Sequence, residues 1–282
     1  MTPFTLMEGD SPLLLSIPHA GTDLTPEVAD RLTPAARPLS DTDWHIPQLY
    51  DFAHGLGASV LAANYSRFVI DLNRPADDQP LYTTATTGLF PDILFDGTPA
   101  FAPGNAPSDA DRARYLRDIW HPYHQQIQQQ LARIKQRHGY ALLFDAHSIA
   151  SRIPRLFDGQ LPDLNLGTNG GLSCAPAIES ALLETCHSQQ RWSWVMNGRF
   201  RGGYITRAYG QPEQHQHAMQ LELAQCNYMS EQAPFAWQPD KAQALQPMLE
   251  RIVRTFMEAA ARHSIIADRR CINEAGRFLC WR

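Results

Sequence analysis

Ala141-Leu142-Leu143-Phe144-Asp145-Ala146-His147 is a short apolar run that empties onto a histidine. A run of this length bounded by turn signals reads as a buried strand. Leu13-Leu14-Leu15-Ser16-Ile17-Pro18-His19 repeats the arrangement near the start of the chain. In an open α/β sheet, residues just past the carboxyl ends of strands line the ligand crevice. Two imidazoles delivered there from distant segments point to a metal site.

Working outward, Ser59 to Ala63 and Phe68 to Leu72 read as further β-rich runs, separated by Asn64-Tyr65-Ser66-Arg67. Thr42 to Gly55 reads as a helix ended by Gly55 or Gly57. A clearer one starts at Ser108, where Asp111 three residues later resembles a capping box. Tyr115, Ile119, Tyr123, Ile127, Leu131 and Ile134 then recur at helical spacing, Pro122 should kink or break the pattern, and Gly139 stops it. Helices are also expected at about Ala175 to Cys186 and Asp240 to Arg262, and a strand at Trp192 to Met196. Ala218 to Leu223 alternates, with Met219, Leu221 and Leu223 on one face and Gln220 and Glu222 on the other. Gly97 to Pro107 and Gly159 to Gly171 read as long loops. Strands alternating with long helices predict an α/β fold: three α/β/α layers around a mixed, largely parallel sheet. No repeat or linker divides the 282 residues, so one domain over 1–282 is expected.

Composition narrows the function. A net charge of -5, from 24 basic and 29 acidic residues, gives no electrostatic reason to bind nucleic acid or an anionic membrane. No apolar stretch approaches the ~20 residues of a bilayer span, and the first ten residues lack the pattern of a signal peptide. Cys174, Cys186, Cys226, Cys271 and Cys280 form no Cys-x-x-Cys pair, which reads as reduced thiols in the cytoplasm. The expected partner is a small molecule; oligomeric state is not legible.

A hydrolytic zinc site needs about three protein ligands and an open position for water. Ser40-Asp41-Thr42-Asp43-Trp44-His45 places two aspartates at the head of a helix, where one can cap and the other can face a metal. Asp43 is the preferred ligand, with Asp41 next; Asp145 is either a ligand or an orienting carboxylate for an imidazole. Arg67 and Arg74 flank one short run with Asn73 beside the second, a combination suited to a substrate carboxylate. Glu222, on the polar face of its strand, is the general-base candidate. The loop Asn197 to Arg207 combines three arginines with three glycines without phosphate-loop spacing, and Arg207 is its candidate anion ligand. His121, His124, His215 and His217 read as structural or surface histidines.

Pro18-His19-Ala20-Gly21, Asp41-Thr42-Asp43-Trp44, Tyr65-Ser66-Arg67, Asp71-Leu72-Asn73-Arg74-Pro75, Asp145-Ala146-His147-Ser148 and Gln220-Leu221-Glu222 follow one another in an order that resembles the N-formylglutamate amidohydrolase family of histidine degradation. The Asp-Leu-Asn-Arg stretch is also similar to that of aspartoacylases, zinc amidohydrolases related to metallocarboxypeptidases. The resemblance implies a carboxypeptidase-like α/β/α fold and one zinc ion, or another divalent metal, held by His19, His147 and a carboxylate. It further implies Glu222 as base, Arg67 on the developing oxyanion, and Asn73, Arg74 and Arg207 on the substrate carboxylates, with formate and L-glutamate released. Carboxypeptidase and aspartoacylase sites take their acidic ligand three residues after the first histidine, where this chain has Thr22. The resemblance therefore does not carry the acidic ligand over directly; Asp43 is the preferred candidate, with Asp23, Asp41 and Asp145 left open. Two other readings remain at this level: an amidohydrolase for another N-acyl acidic amino acid, and a binding module whose histidines are structural.

Overall fold

Four apolar runs carry the centre of the molecule, because strands covered on both faces lose nothing by being apolar throughout. The computed structural model describes residues 2–81, 83 and 86–278, with side chains as far as residue 265. In chain order its main elements are β1 (Phe4–Met7), β2 (Leu13–Ile17), α1 (Pro26–Arg31), α2 (Ile46–Leu49), β3 (Ser59–Ala63), α3 (Asp109–Tyr115), α4 (His121–His138), β4 (Ala141–Ile149), β5 (Leu164–Gly167), α5 (Pro176–His187), β6 (Trp194–Met196), α6 (Tyr204–Tyr209), β7 (Gln216–Ala224) and α7 (Pro239–Phe278). Seven strands form one sheet in the order β1-β3-β2-β4-β7-β5-β6. β3, β2, β4 and β7 run parallel, β5 and β6 run parallel to each other, and the pairs β1/β3 and β5/β7 are antiparallel.

Helices cover both faces, as expected. Phe144, Ala146, Met219 and Leu221 point to the side where α2, α5 and α7 contribute Ile46, Leu49, Ile178, Leu182, Leu249 and Phe256. Ala141, Leu143 and Ala218 face the other side, against Val28, Tyr115, Tyr123 and Ile127 from α1, α3 and α4. Each fully buried aliphatic or aromatic side chain there stabilises the fold by about 1.5–3 kcal/mol relative to exposure. On this second face the apolar residues give way to Asp145 and His147 on β4, and to Gln220 and Glu222 on β7, towards the carboxyl ends. A crevice opens where they do.

Several expectations change in detail. Phe68 to Leu72 is buried but forms turns rather than a strand; an apolar run signals burial, and here the backbone bonds locally, Val69 N to Ser66 O and Arg74 N to Asp71 O. Thr42 to Gly55 is not one helix but the single turn α2 followed by a 3-10 segment, Asp51–Leu56, with His45 at φ 63° before them. β5 lies inside the stretch read as the loop Gly159 to Gly171, and β1 is an additional edge strand. The Ser108 capping box is present, and Gly139 ends α4 at φ 80°. Pro122 does not break its helix: a π-helical turn, Leu116–Trp120, joins α3 to α4 immediately before it. Proline removes one i→i−4 hydrogen bond, and the wider turn takes up the mismatch.

Among the described residues, no helix is long and apolar enough to cross a membrane. Cys174, Cys186 and Cys226 are free thiols; the side chains of Cys271 and Cys280 lie outside the described residues.

Candidate metal and catalytic site

β2 ends at Pro18 and delivers His19 to the crevice, 4% exposed. The turn beyond it passes the Asn64 backbone so closely that a Cβ on Gly21 would fall 2.4 Å from the Asn64 carbonyl carbon. His147 comes from the neighbouring strand β4, and Glu222 lies directly beside it in the β4/β7 register. Asp43 arrives from the irregular segment before α2. It does not cap that helix, whose cap residue is His45 with no side-chain bond. Its amide donates to the His19 carbonyl at 3.0 Å, tying the two loops together.

Ligand atoms of His19, Asp43 and His147, all buried, lie within 4.8 Å of one another. Nδ1 of each imidazole faces Asp43 Oδ2, at 3.8 Å for His19 and 3.1 Å for His147. The opposite nitrogens are both taken by carboxylates: His19 Nε2 lies 2.7 Å from Asp71 Oδ1, and His147 Nε2 2.8 Å from Asp145 Oδ2. A carboxylate behind each imidazole is the arrangement that fixes tautomer and ring orientation in metal-binding histidines. Asp145 thus backs His147, Asp71 backs His19, and Asp41 turns away to accept from Phe95 N at 2.7 Å.

Electrostatics reflect the crowding. Burial acts against a charged His147, but Asp145 and Asp43 outweigh it and hold its pKa well above 6.5. His19 moves the other way, lowered by burial and by Arg67. For Asp71, burial opposes ionisation, yet His19 and Arg67 keep its carboxyl well below the usual range. Burial pushes Glu222 up to about 8.

One cavity gathers His19, Asp43, His147 and Glu222, with Arg67, Asn73, Arg74, Phe95, Arg199 and Gln220 among its other walls. Arg67 donates to Asp71 Oδ2 at 2.7 Å and to the Asp41 carbonyl at 3.3 Å, and its guanidinium lies 4.6 Å from the Phe95 ring centre. Its Nε–H is buried without a hydrogen-bond partner among the described residues. Arg74 donates to the carbonyls of Thr87 and Asn73 and to the Thr86 hydroxyl. Asn73 is used as scaffold: its Nδ2 donates to Asp145 Oδ2 at 3.3 Å and lies 3.0 Å from His147 Nε2, while Oδ1 accepts from Ile205 N. Gln220 donates to Glu222 Oε2 and accepts from Gly203 N.

Arg207 does not line this cavity. It lines an adjacent cleft, with Nε donating to the Gly202 carbonyl and Nη1 to that of Leu81. Arg207 sits on α6 rather than in a loop, and Arg199, eight residues earlier in the segment before that helix, occupies the cavity wall instead. Sequence reasoning also assigned no part to Asp71, Gln220, Gln225 or Tyr228. Asp71 stood inside a quoted motif, but nothing local links it to His19, 52 residues away. Gln225 donates to the Thr42 carbonyl, and Tyr228 to that of Trp44, gripping the chain on both sides of Asp43. His124 is structural, stacked 3.8 Å from Trp120 and bonded to the Leu72 carbonyl.

The architecture matches solved structures over nearly its whole length. The crystal structure of N-formylglutamate amidohydrolase from Ralstonia eutropha JMP134 superposes with a TM-score of 0.75 at 21% identity, covering 95% of this chain and 99% of that one. A gene product from Agrobacterium tumefaciens superposes at 0.68 and 14% identity, covering 93% and 96%. In sequence, the chain is 60% identical over 249 residues to N-formylglutamate deformylase from Pseudomonas aeruginosa, covering 88% of this chain and 94% of that protein. The N-formylglutamate deformylase of Pseudomonas putida is 56% identical over 250 residues, covering 89% and 94%. The family profile described as N-formylglutamate amidohydrolase spans residues 11–229, all three clustered ligands and Glu222 included. By these matches the chain belongs to the N-formylglutamate amidohydrolase family.

Proposed function

We propose that this chain hydrolyses N-formyl-L-glutamate to formate and L-glutamate, a step of histidine degradation in the cytoplasm, using one divalent cation held by His19, Asp43 and His147. The observation that carries the reading is the convergence of two imidazoles and a carboxylate beside Glu222 in one cavity. The donor set fits such an ion. Asp43, Asp71 and Asp145 are buried with Arg67 as the one buried guanidinium among them, so carboxylates outnumber guanidinium and a dication offsets the difference. Two nitrogens and one oxygen suit zinc, with cobalt, iron and nickel as competitors.

When bound, the cation acidifies water and polarises the formyl carbonyl. Glu222 takes the proton from the attacking water as the new C–O bond forms and the carbonyl oxygen gains charge, then passes it to the leaving nitrogen as the C–N bond breaks. The spare Nε–H of Arg67 is a preorganised donor for the developing oxyanion. Arg74 and Arg199 hold the substrate carboxylates, Asn73 keeps Asp145 and His147 in place, and Arg207 acts from the neighbouring cleft.

Metal analysis of purified protein, paired with glutamate release from N-formyl- and N-acetyl-L-glutamate, tests the proposal. About one zinc per chain and faster turnover of the formyl compound are expected. Glu222→Gln should retain the metal and lose on the order of 10²–10⁴-fold in kcat. Protein that binds no divalent metal, or a Glu222→Gln variant with unchanged kcat, would refute it.

A further inference from the structure

The cleft beside the catalytic cavity has a volume of about 610 Å³ and is lined by Asn169, Gly170, Leu172, Arg199, Arg201 and Arg207 among others. Two features set it apart. First, Arg199 belongs to both walls, so the cleft and the catalytic cavity share one arginine. Second, three arginines line it and, among the described residues, no carboxylate does, although the chain as a whole carries a net charge of -5. The neutral carbonyls of Leu156 and Gly202 hold Arg199 and Arg207 through their Nε–H groups. Arg201 is exposed. A cleft lined by one sign of charge between low-dielectric walls concentrates counter-ions and raises association rates.

We propose that this cleft is an anion-collecting vestibule, in which Arg201 and Arg207 draw in a dicarboxylate and hand it past Arg199 to the catalytic cavity. The identity of the dicarboxylate as an N-acyl diacid rests on the function proposed above; the vestibule itself rests on the charge and on the shared wall. Arg201 is the informative position, because it lies outside the catalytic cavity and its side chain is exposed.

Association of glutarate, followed by stopped-flow tryptophan fluorescence on the full chain, reads the vestibule without requiring turnover. Arg201→Glu should slow association by ~5–10-fold at low ionic strength, and the difference should largely vanish at ~0.5 M salt, where the Debye length falls below about 5 Å. Arg254→Glu on α7 changes net charge equally but lies on an exposed helix face paired with Glu250, and it should leave the rate within twofold of wild type. In turnover, the loss in Arg201→Glu should fall on kcat/KM rather than kcat, and should be smaller for the monoanionic N-formyl-L-glutamine. Equal association rates for wild type and Arg201→Glu at low salt, or an equal slowing in Arg254→Glu, would overturn the vestibule. Salt-dependent slowing in Arg201→Glu together with no hydrolysis of N-formyl-L-glutamate by wild type would keep the vestibule and reject the proposed function.

Discussion

The phenol oxygen of Tyr228 lies 2.9 Å from the Trp44 carbonyl and 2.7 Å from Ser148 Oγ, joining the neighbour of Asp43 to the neighbour of His147. Asp43 and His147, from unrelated segments, are thereby held through their neighbours against one buried hydroxyl. Tyr228→Phe leaves the Trp44 carbonyl without that donor, at a cost of about 1–3 kcal/mol. Urea unfolding should register this loss, and chelator competition should show weaker metal retention than in wild type.

Gly203 is required for a side chain rather than for its own backbone. Its φ of -78° is open to any residue, but a Cβ there would fall 2.3 Å from Asn73 Nδ2. Gly203→Ala should displace the Asn73 amide from Asp145 and loosen His147. Overpacking costs about 1–3 kcal/mol, and misplacement of the site should lower kcat by ~10–100-fold. Stability and kcat measured on the same preparation check both.

Asp71 serves two partners at once, the His19 imidazole at Nε2 and the Arg67 guanidinium at Nη2, each at 2.7 Å. Asp71→Asn removes the charge that orients the imidazole, so metal affinity should fall by about 10–100-fold. It also strands Arg67 in a buried setting, and the metal-free protein should be destabilised by about 3–5 kcal/mol. Metal titration against a chelator and a thermal melt of the metal-free form are the readouts.

Acid should weaken the fold through histidines remote from the ligand cluster. Burial pulls His124 down to about 3, and burial with the nearby His263 and His215 charges pulls His217 down to about 4. Both are neutral when folded, whereas the unfolded chain takes up these protons as pH drops below 6.5. Their contribution is therefore complete above pH 6.5 and declines as pH falls towards 4 for His217 and towards 3 for His124. The slope approaches ~1.4 kcal/mol per pH unit for each group. His217→Gln should lose roughly 2 kcal/mol less than wild type between pH 7.5 and 5 in urea melts.

What could be read from sequence was whatever a periodic signal marks. β2, β4 and β7 were legible because buried strands write apolar runs or alternations, and α3 and α4 because a capping box opens the first and a glycine closes the second. Phe68 to Leu72 misled because burial looks alike in a strand and in packed turns. β5 escaped because four residues among glycines and prolines carry too little pattern. In the site, His19, His147 and Glu222 were reachable from strand ends, and Asp43 from an excess of acids over what capping needs. Asp71 and Tyr228 were not, since their partners lie 52 and 80 or more residues away and only the folded chain brings them together. Arg199 was missed for a related reason: a glycine-rich loop does not announce which of its arginines turns inward.

The pairing of β4 with β7 sets Ala146 opposite Leu221 and His147 opposite Glu222. Side chains along a strand alternate between faces, so sliding one strand by a single residue would put Leu221 opposite His147 and send the glutamate into the greasy layer beneath α7. The apolar teeth of Met219, Leu221 and Leu223 thus act as a ruler, and the spacing of Glu222 from His147 is measured out by grease on the opposite face of the sheet.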